Sequence, residues 1–227
     1  MPSARAARSS LSQSVTAKLS SAIIAGEFPP GARISEPTLS SRLGVSRAPI
    51  REALVELGLR GLVTFDPTGH TRITTFTDED VAEIYNIRLM IDPFAAALAA
   101  ERADRKAFAA IQANIAAMKS AKKLADVTRL DTEFHDLVVR AAGSRRLLLC
   151  WELFRDQISL WLAQMQRRHH EVRHGTRQET VQAHRELLAA IRSGDPQKAS
   201  QAATRHVSGW IELLPAPTHV QAGGGAR

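Results

Sequence analysis

The sequence predicts a mostly α chain in two parts: a winged helix-turn-helix over residues 11–76, then an all-α antiparallel helical bundle over residues 77–214. Three observations carry this. The stretch Leu43-Gly44-Val45-Ser46-Arg47-Ala48-Pro49-Ile50-Arg51-Glu52-Ala53-Leu54 has the make-up of a tight turn followed by a second helix. Two β-rich runs, residues 62–65 and 71–74, flank the turn sequence Asp66-Pro67-Thr68-Gly69-His70, which is a hairpin pattern. After Phe76, apolar residues recur at helical spacing and no further strand signal appears.

Residues 1–10 are small and polar and read as a mobile arm. From about residue 12, Val15, Leu19, Ala22 and Ile23 recur with the helical period, and Gly26 supplies the stop. Phe28-Pro29-Pro30-Gly31 is a turn cluster. Ser35 then caps a short helix with Glu36 and Pro37 in its first turn and Leu39 and Leu43 facing inward. Gly44 permits a reversal that a Cβ would penalise, and Ser46 is a natural N-cap for the next helix. Pro49 falls in that helix's first turn, where its missing N–H breaks no intrahelical bond. Ile50, Ala53, Leu54 and Leu57 form one apolar stripe, and Arg47, Ala48, Arg51 and Glu52 lie on the solvent-facing flank. Such a helix presents two guanidiniums, one turn apart and near its N-terminus, to a DNA major groove. Gly69 and His70, at the hairpin tip, are placed to approach phosphates or a minor groove. An exposed Arg/Glu network is the competing reading of Arg47 and Arg51.

Thr77 caps the first helix of the second part, with Asp78, Glu79 and Asp80 complementing its dipole. Pro93 lies inside this helix, residues 78–103, and is expected to kink it near Asp92. Further helices are expected over residues 104–121, 124–142, 145–170, 176–193 and 196–213. Gly143, Gly175 and Gly194-Asp195-Pro196 punctuate them. Residues 215–227, ending in a glycine run, read as a disordered tail.

Composition narrows the function. Hydrophobic content of 44% and charged content of 23% are ordinary for a soluble globular protein. The net charge of +7 points to an anionic partner. Residues 1–76 hold nine Lys/Arg against five Asp/Glu, and the remaining residues 21 against 18. Positive charge is therefore denser in the part carrying the helix-turn-helix. The single cysteine, Cys150, excludes an intrachain disulfide and a cysteine-based zinc finger, and fits a reducing cytoplasm. No apolar run approaches the roughly 20 residues that would span a bilayer. Arg5 and Arg8 have no apolar core behind them, so no signal peptide is expected.

The helical part carries ionisable residues on stripes that should be apolar. Val127, Phe134, Val138 and Ala142 define the buried stripe of the 124–142 helix. Asp131 projects into its middle with His135 one turn on. His184 falls on the stripe of Val181, Leu188 and Ile191, and His206 on that of Ala199, Ala203 and Trp210. A buried carboxylate must be paired or bound to a cation. An Asp/His₃ set suits a divalent transition metal such as Zn²⁺, with Ni²⁺, Mn²⁺ or Fe²⁺ as alternatives. Hydrogen-bonded core histidines are the bland alternative. Arg88 projects between Ile84, Ile91 and Ala95, either as a salt bridge to Asp92 or as a bidentate clamp for a carboxylate effector. His169, His170 and His174 lie in a basic stretch and read as solvated surface, and Cys150 and Trp151 read as core.

Two resemblances follow from these residues. Ala25-Gly26-Glu27-Phe28-Pro29-Pro30-Gly31-Ala32-Arg33-Ile34-Ser35-Glu36, with residues 43–54, resembles the DNA-binding domain of GntR-family regulators. That resemblance implies operator contacts by Ser46, Arg47, Ala48 and Arg51, with Gly69 and His70 in the wing. Pro37 stands where the fatty-acid-responsive member of the family uses an arginine on DNA. Arg60 replaces the acidic residue common before Gly61-Leu62. Asp131-Thr132-Glu133-Phe134-His135, His184 ahead of Ala190-Ile191-Arg192-Ser193-Gly194-Asp195, and His206-Val207 are similar to the FCD effector domain of the FadR subfamily. Arg88, Asp92-Pro93 and the alanine-rich stretch behind them match its opening helix, and the domain's brevity points to the shorter, VanR-like branch. This resemblance implies metal ligands Asp131, His135, His184 and His206, with Arg88 near an organic-acid effector. Asp92 stands where glutamate is usual, and Ser144 where asparagine commonly follows Ala142-Gly143.

The expectation is a cytoplasmic, homodimeric, ligand-responsive transcriptional regulator, most simply a repressor. It would bind a palindromic operator in double-stranded DNA and have no catalytic or membrane role. In one alternative the metal is itself the signal. A metalloenzyme is the other, but no extra buried general base is evident and four protein ligands crowd out a reacting water.

Overall fold

A computed structural model describes residues 4–172 and 176–209. Its first part contains α1 (Ala4–Ile24), β1 (Arg33–Ile34), α2 (Glu36–Leu43), α3 (Arg47–Leu59), β2 (Val63–Phe65) and β3 (Thr71–Ile73). The strands form an antiparallel sheet in the order β1-β3-β2, with Ile34 opposite Thr71 and Val63 opposite Ile73. Val15, Leu19, Ile23, Leu39, Ile50, Leu54, Leu57, Leu62 and Ile73 close one core beneath the three helices and the sheet. The stripe expected on α3 is therefore the buried one. Gly44 ends α2 with φ of 66°, the left-handed region where a Cβ is penalised, and its N–H donates to the Ser40 carbonyl.

Several expectations change at this level. The helix expected from about residue 12 begins at Ala4, which removes residues 4–10 from the expected arm. Ala4, Ala6 and Ala7 make that stretch a strong helix former. Residues 1–3 lie outside the described residues. Ser46 occupies the N-cap of α3 with extended backbone, but its side chain makes no capping hydrogen bond. Strand β1 was not expected from the sequence, because two residues are too few to show alternation.

The second part contains α4 (Asp78–Arg102), α5 (Arg105–Ser120), α6 (Leu124–Ala141), α7 (Arg145–Val172), α8 (Thr176–Arg192) and α9 (Pro196–Ser208). Thr77 and Asp80 close a reciprocal capping box at the start of α4. Pro93 sits within α4, which continues through it to Arg102. Phe134, Trp151, Ile111, Met118, Ile158 and Ile191 are fully buried at the centre of the bundle. Trp151 is core as expected, whereas Cys150 is exposed, because adjacent helical residues point about 100° apart. Trp210, the 215–227 tail, Gly175 and the side chains of His169, His170 and His174 lie outside the described residues. No described helix is long and apolar enough to cross a membrane.

Helix α7 belongs to both parts. Leu160 completes the core of the winged domain. Gln164 Nε2 donates to the Thr74 carbonyl at 3.1 Å, and Arg167 Nη1 to that of Ile24 at 3.3 Å. Gly61 has φ of 69°, and a Cβ there would lie 2.7 Å from the Gln157 side chain, so the winged domain approaches α7 through a residue that only glycine satisfies. Arg60 bonds Glu56 within α3's last turn and Asp156 on α7, at 3.0 and 3.3 Å. The positive charge at this position is therefore an interdomain tether.

Candidate nucleic-acid interface and central polar site

Arg47, Ala48, Arg51 and Glu52 are exposed along the outer face of α3, and Ser46 is exposed at its start. Glu36, in the first turn of α2, accepts from Arg51 Nε at 3.0 Å and Nη2 at 3.2 Å. This fork holds the guanidinium in one orientation, and it holds the Glu36 carboxyl below its usual value, with burial opposing. The pair is solvated, Arg51 being 71% exposed, so a phosphate or base edge can replace the carboxylate at small cost.

The wing is organised by Asp66. Its Oδ1 accepts from the Thr68 N–H, the Thr68 hydroxyl and the His70 N–H, at 3.0, 2.6 and 2.9 Å. Arg72 Nε reaches Oδ2 at 3.3 Å. The Thr68 hydroxyl bond, the His70 amide and the Arg72 guanidinium together hold the Asp66 carboxyl far below its usual range. Gly69 turns the tip with φ of 80°, and His70 Nδ1 lies 2.6 Å from the Thr68 hydroxyl. The wing is thus pre-shaped by a carboxylate whose sequence position marks it only as a turn residue.

In the bundle, α6, α8 and α9 bring Asp131, His135, His184 and His206 together, and all four are buried. Ligand nitrogens of the three histidines lie within 4.8 Å of one another. Asp131 Oδ1 is 2.8 Å from His184 Nε2 and 4.0 Å from His135 Nε2, and His206 Nε2 is 3.3 Å from His135 Nε2. The Thr180 carbonyl accepts from His184 Nδ1 at 2.6 Å, so Nδ1 carries the proton and a neutral ring has a bare Nε2. A lone pair 2.8 Å from a carboxylate oxygen calls for a proton or cation between them. Asp92 Oδ2 lies 3.4 Å from His135 Nδ1, as a carboxylate does when it orients a metal-ligating histidine. Burial lowers the pKa of both His135 and His206, aided by the Arg88 charge and the neighbouring rings. Neutral imidazoles facing a carboxylate fit a divalent ion.

Arg88 is fully buried on α4. Its Nε and Nη2 donate to Asp92 Oδ2 at 3.1 and 2.7 Å, and Nη2 lies 3.0 Å from His135 Nε2. The first sequence reading of Arg88 is the one seen here: it is salt-bridged to Asp92, and it stands at the edge of the histidine cluster. Burial raises the Asp92 pKa against the opposing pull of Arg88. Sequence reading missed Glu36 as the partner of Arg51, the interdomain contacts of α7, and Asn114, a buried amide on the stripe Ile111-Ile115-Met118 of α5. Only the last left a signal, a polar residue at an apolar position.

Residues 11–73 match the bacterial regulatory proteins of the gntR family, and residues 83–209 match the FCD domain. A probable D-xylose utilization operon transcriptional repressor of Paenarthrobacter nicotinovorans is 30% identical over 204 residues, covering 88% of this chain and 86% of that protein. The transcriptional repressor GlaR of Escherichia coli is 27% identical over 211 residues, covering 88% and 91%. The crystal structure of a putative GntR regulator from Rhodococcus sp. RHA1 is similar with a TM-score of 0.77 and 25% identity, covering 91% of this chain and 99% of that one. These relatives are transcriptional regulators, not enzymes. The chain belongs to the gntR family of bacterial regulatory proteins and is a DNA-binding transcriptional regulator with an FCD domain behind its winged helix.

Proposed function

We propose that the chain is a cytoplasmic, homodimeric repressor whose helical domain holds a divalent metal and, beside it, a small organic acid that alters operator binding. Arg47 and Arg51, with Ser46 and Ala48 beside them, read the major groove, while Gly69 and His70 approach the backbone or minor groove. Two copies related by a two-fold axis read two related half-sites.

Asp131, His135, His184 and His206 are the residues that would hold the metal, with Zn²⁺ the best match to the donors and Ni²⁺, Mn²⁺ or Fe²⁺ alternatives. When bound, the ion supplies a positive centre to which a carboxylate oxygen is drawn. Asp92 orients His135. One observation on Arg88 favours the acid reading over a purely structural core: Nη1 is buried and makes no hydrogen bond among the described residues. A guanidinium with one edge on Asp92 and another nitrogen unused is suited to accept a second carboxylate.

Helix α7 offers the route to DNA. Trp151 lies 6.4 Å from the His135 ring, centroid to centroid, and Leu160, Gln164 and Arg167 of the same helix grip the winged domain. An acid that binds one placement of α7 better than another shifts the winged domains by that difference in affinity. The test is fluorescence anisotropy on an operator selected by the wild-type chain from random DNA, with metal-loaded protein and a panel of carboxylic acids. The expected result is an acid that changes DNA affinity about tenfold, within the usual range of coupling. Affinity that follows free metal and ignores every acid would replace this reading with a metal sensor.

A further inference from the structure

Arg33 on β1 and Arg72 on β3 stand directly opposite each other in the antiparallel register. Both are exposed on the outer face of the sheet, while Ile34, Thr71 and Ile73 beside them turn into the core. Cβ atoms placed in this way lie about 4.5–5.5 Å apart, and like charges there work against the sheet. The two guanidiniums are not equally provided for. Arg72 Nε lies 3.3 Å from Asp66 Oδ2, and its Nη1 donates to the Gly31 carbonyl at 3.3 Å. The Arg33 side chain makes no ion pair and no hydrogen bond among the described residues. One positive charge is therefore held against another, with no carboxylate of the described chain to offset it.

The position of Arg33 says what would offset it. Two residues on, Ser35 caps α2, whose first-turn Glu36 grips Arg51 of α3. Across the sheet, β3 leads back through Thr71 and His70 to the wing tip at Gly69. Strand β1 thus lies between the support of the reading helix and the wing. A domain that puts a helix in the major groove and a wing at the minor groove straddles the sugar-phosphate backbone that separates them. We propose that Arg33 binds a phosphate of that backbone, and that the phosphate relieves the Arg33–Arg72 repulsion only in the complex. The contact fixes how the winged domain sits on the duplex and carries no sequence information. It rests on the orientation of α3 and the wing toward DNA given above, and adds to it a contact that Ser46, Arg47, Ala48, Arg51, Gly69 and His70 do not supply.

The test is fluorescence anisotropy with the full-length protein on two duplexes of equal length, titrated between about 50 and 200 mM KCl. One is an operator that the wild-type chain selects from random DNA, and the other is an unrelated sequence. Arg33→Gln is expected to weaken binding to both by the same factor. It should also flatten the slope of log affinity against log salt by about 0.9 for every chain bound. Arg33→Lys, which keeps a point charge for the phosphate, should retain most of the slope. Arg105→Gln removes the same charge from an exposed position on α5 in the helical bundle and should leave the slope unchanged. In urea, Arg33→Gln should be at least as stable as wild type, because it takes one of two like charges off the sheet. An unaltered slope in Arg33→Gln, a fall matched by Arg105→Gln, or a loss confined to the selected operator overturns the proposal. A less stable Arg33→Gln also overturns it, by giving Arg33 a structural role. Wild-type operator affinity in Arg51→Ala would instead overturn the reading by α3, whatever the slope in Arg33→Gln, so the two failures are told apart.

Discussion

Arg51 and Arg88 turn the same two nitrogens on a carboxylate in opposite surroundings, Arg51 across both oxygens and Arg88 onto one. Each uses Nε and Nη2 to grip one carboxylate, Glu36 or Asp92. Arg51 is 71% exposed, and its partner sits on a neighbouring helix of the winged domain. Arg88 is fully buried, and its partner is one turn further along α4. Water screens the first pair, so Glu36 orients Arg51 without holding it against a phosphate or a base. The second pair cannot dissociate without leaving two charges in the core. On the proposed reading, Arg51 is an arginine kept ready for an external partner, and Arg88 one that can only share. A second anion would then reach Arg88 beside Asp92, through Nη1.

The contrast can be broken at four points, in decreasing order of effect. Arg88→Ala should destabilise the fold by about 3–5 kcal/mol, because it leaves the Asp92 carboxylate buried and unpaired. Urea denaturation measures this, and a change under about 1 kcal/mol would show that the pair is not held as described. Arg47→Ala and Arg51→Ala should each abolish specific operator binding, a loss of about 10–100-fold or more in DNA affinity. The Arg51 substitution should change unfolding stability by no more than about 1 kcal/mol, since its pair is exposed. Wild-type operator affinity in either variant would remove α3 as the reading helix.

Arg60→Ala tests the link between the two regions. It releases α3 from Asp156 on α7, so the acid-induced change in DNA affinity should shrink while metal content stays unchanged. An undiminished response to acid would show that coupling does not pass through this tether. The smallest effect belongs to the wing. The Asp66 carboxyl is held below its unfolded value, so the folded wing has a stability contribution that is complete above about pH 4 and fades as pH falls through the folded value. Asp66→Asn should flatten this acid limb of the stability curve. An unaltered limb would mean that the Thr68, His70 and Arg72 contacts do not persist in solution.

How much of this the sequence carried differs between the regions for physical reasons. The winged domain was legible because its information is local. Gly44, Ser46, Pro49 and the stripe Ile50-Ala53-Leu54-Leu57 are contiguous, and each has a fixed position relative to one helix. Its pairings were not legible: Glu36 meets Arg51 only once α2 and α3 cross, and β1 exists only because β3 lies beside it. In the helical domain the polar centre showed as four ionisable residues on apolar stripes of three helices. Their convergence was an expectation that the fold brings to distances of 2.8 to 4.0 Å. Asn114 gave the same kind of signal but is a single neutral residue, easily absorbed into its stripe. Cys150 was misplaced because a buried Trp151 beside it says nothing about a side chain pointing about 100° away. The double role of α7 left no mark in periodicity, since Leu160 is apolar whichever core it joins.

The functional proposal depends on the buried Asp/His₃ cluster being a metal site rather than a hydrogen-bonded polar core. The most direct measurement is elemental metal analysis of the untagged, purified chain beside its Asp131→Ala/His206→Ala variant. A metal site should give about one divalent transition-metal ion per chain in the wild type, lost in the variant. A metal-free wild type that also fails to take up added Zn²⁺, Ni²⁺ or Mn²⁺ would contradict it, and the search for an effector would then centre on Arg88.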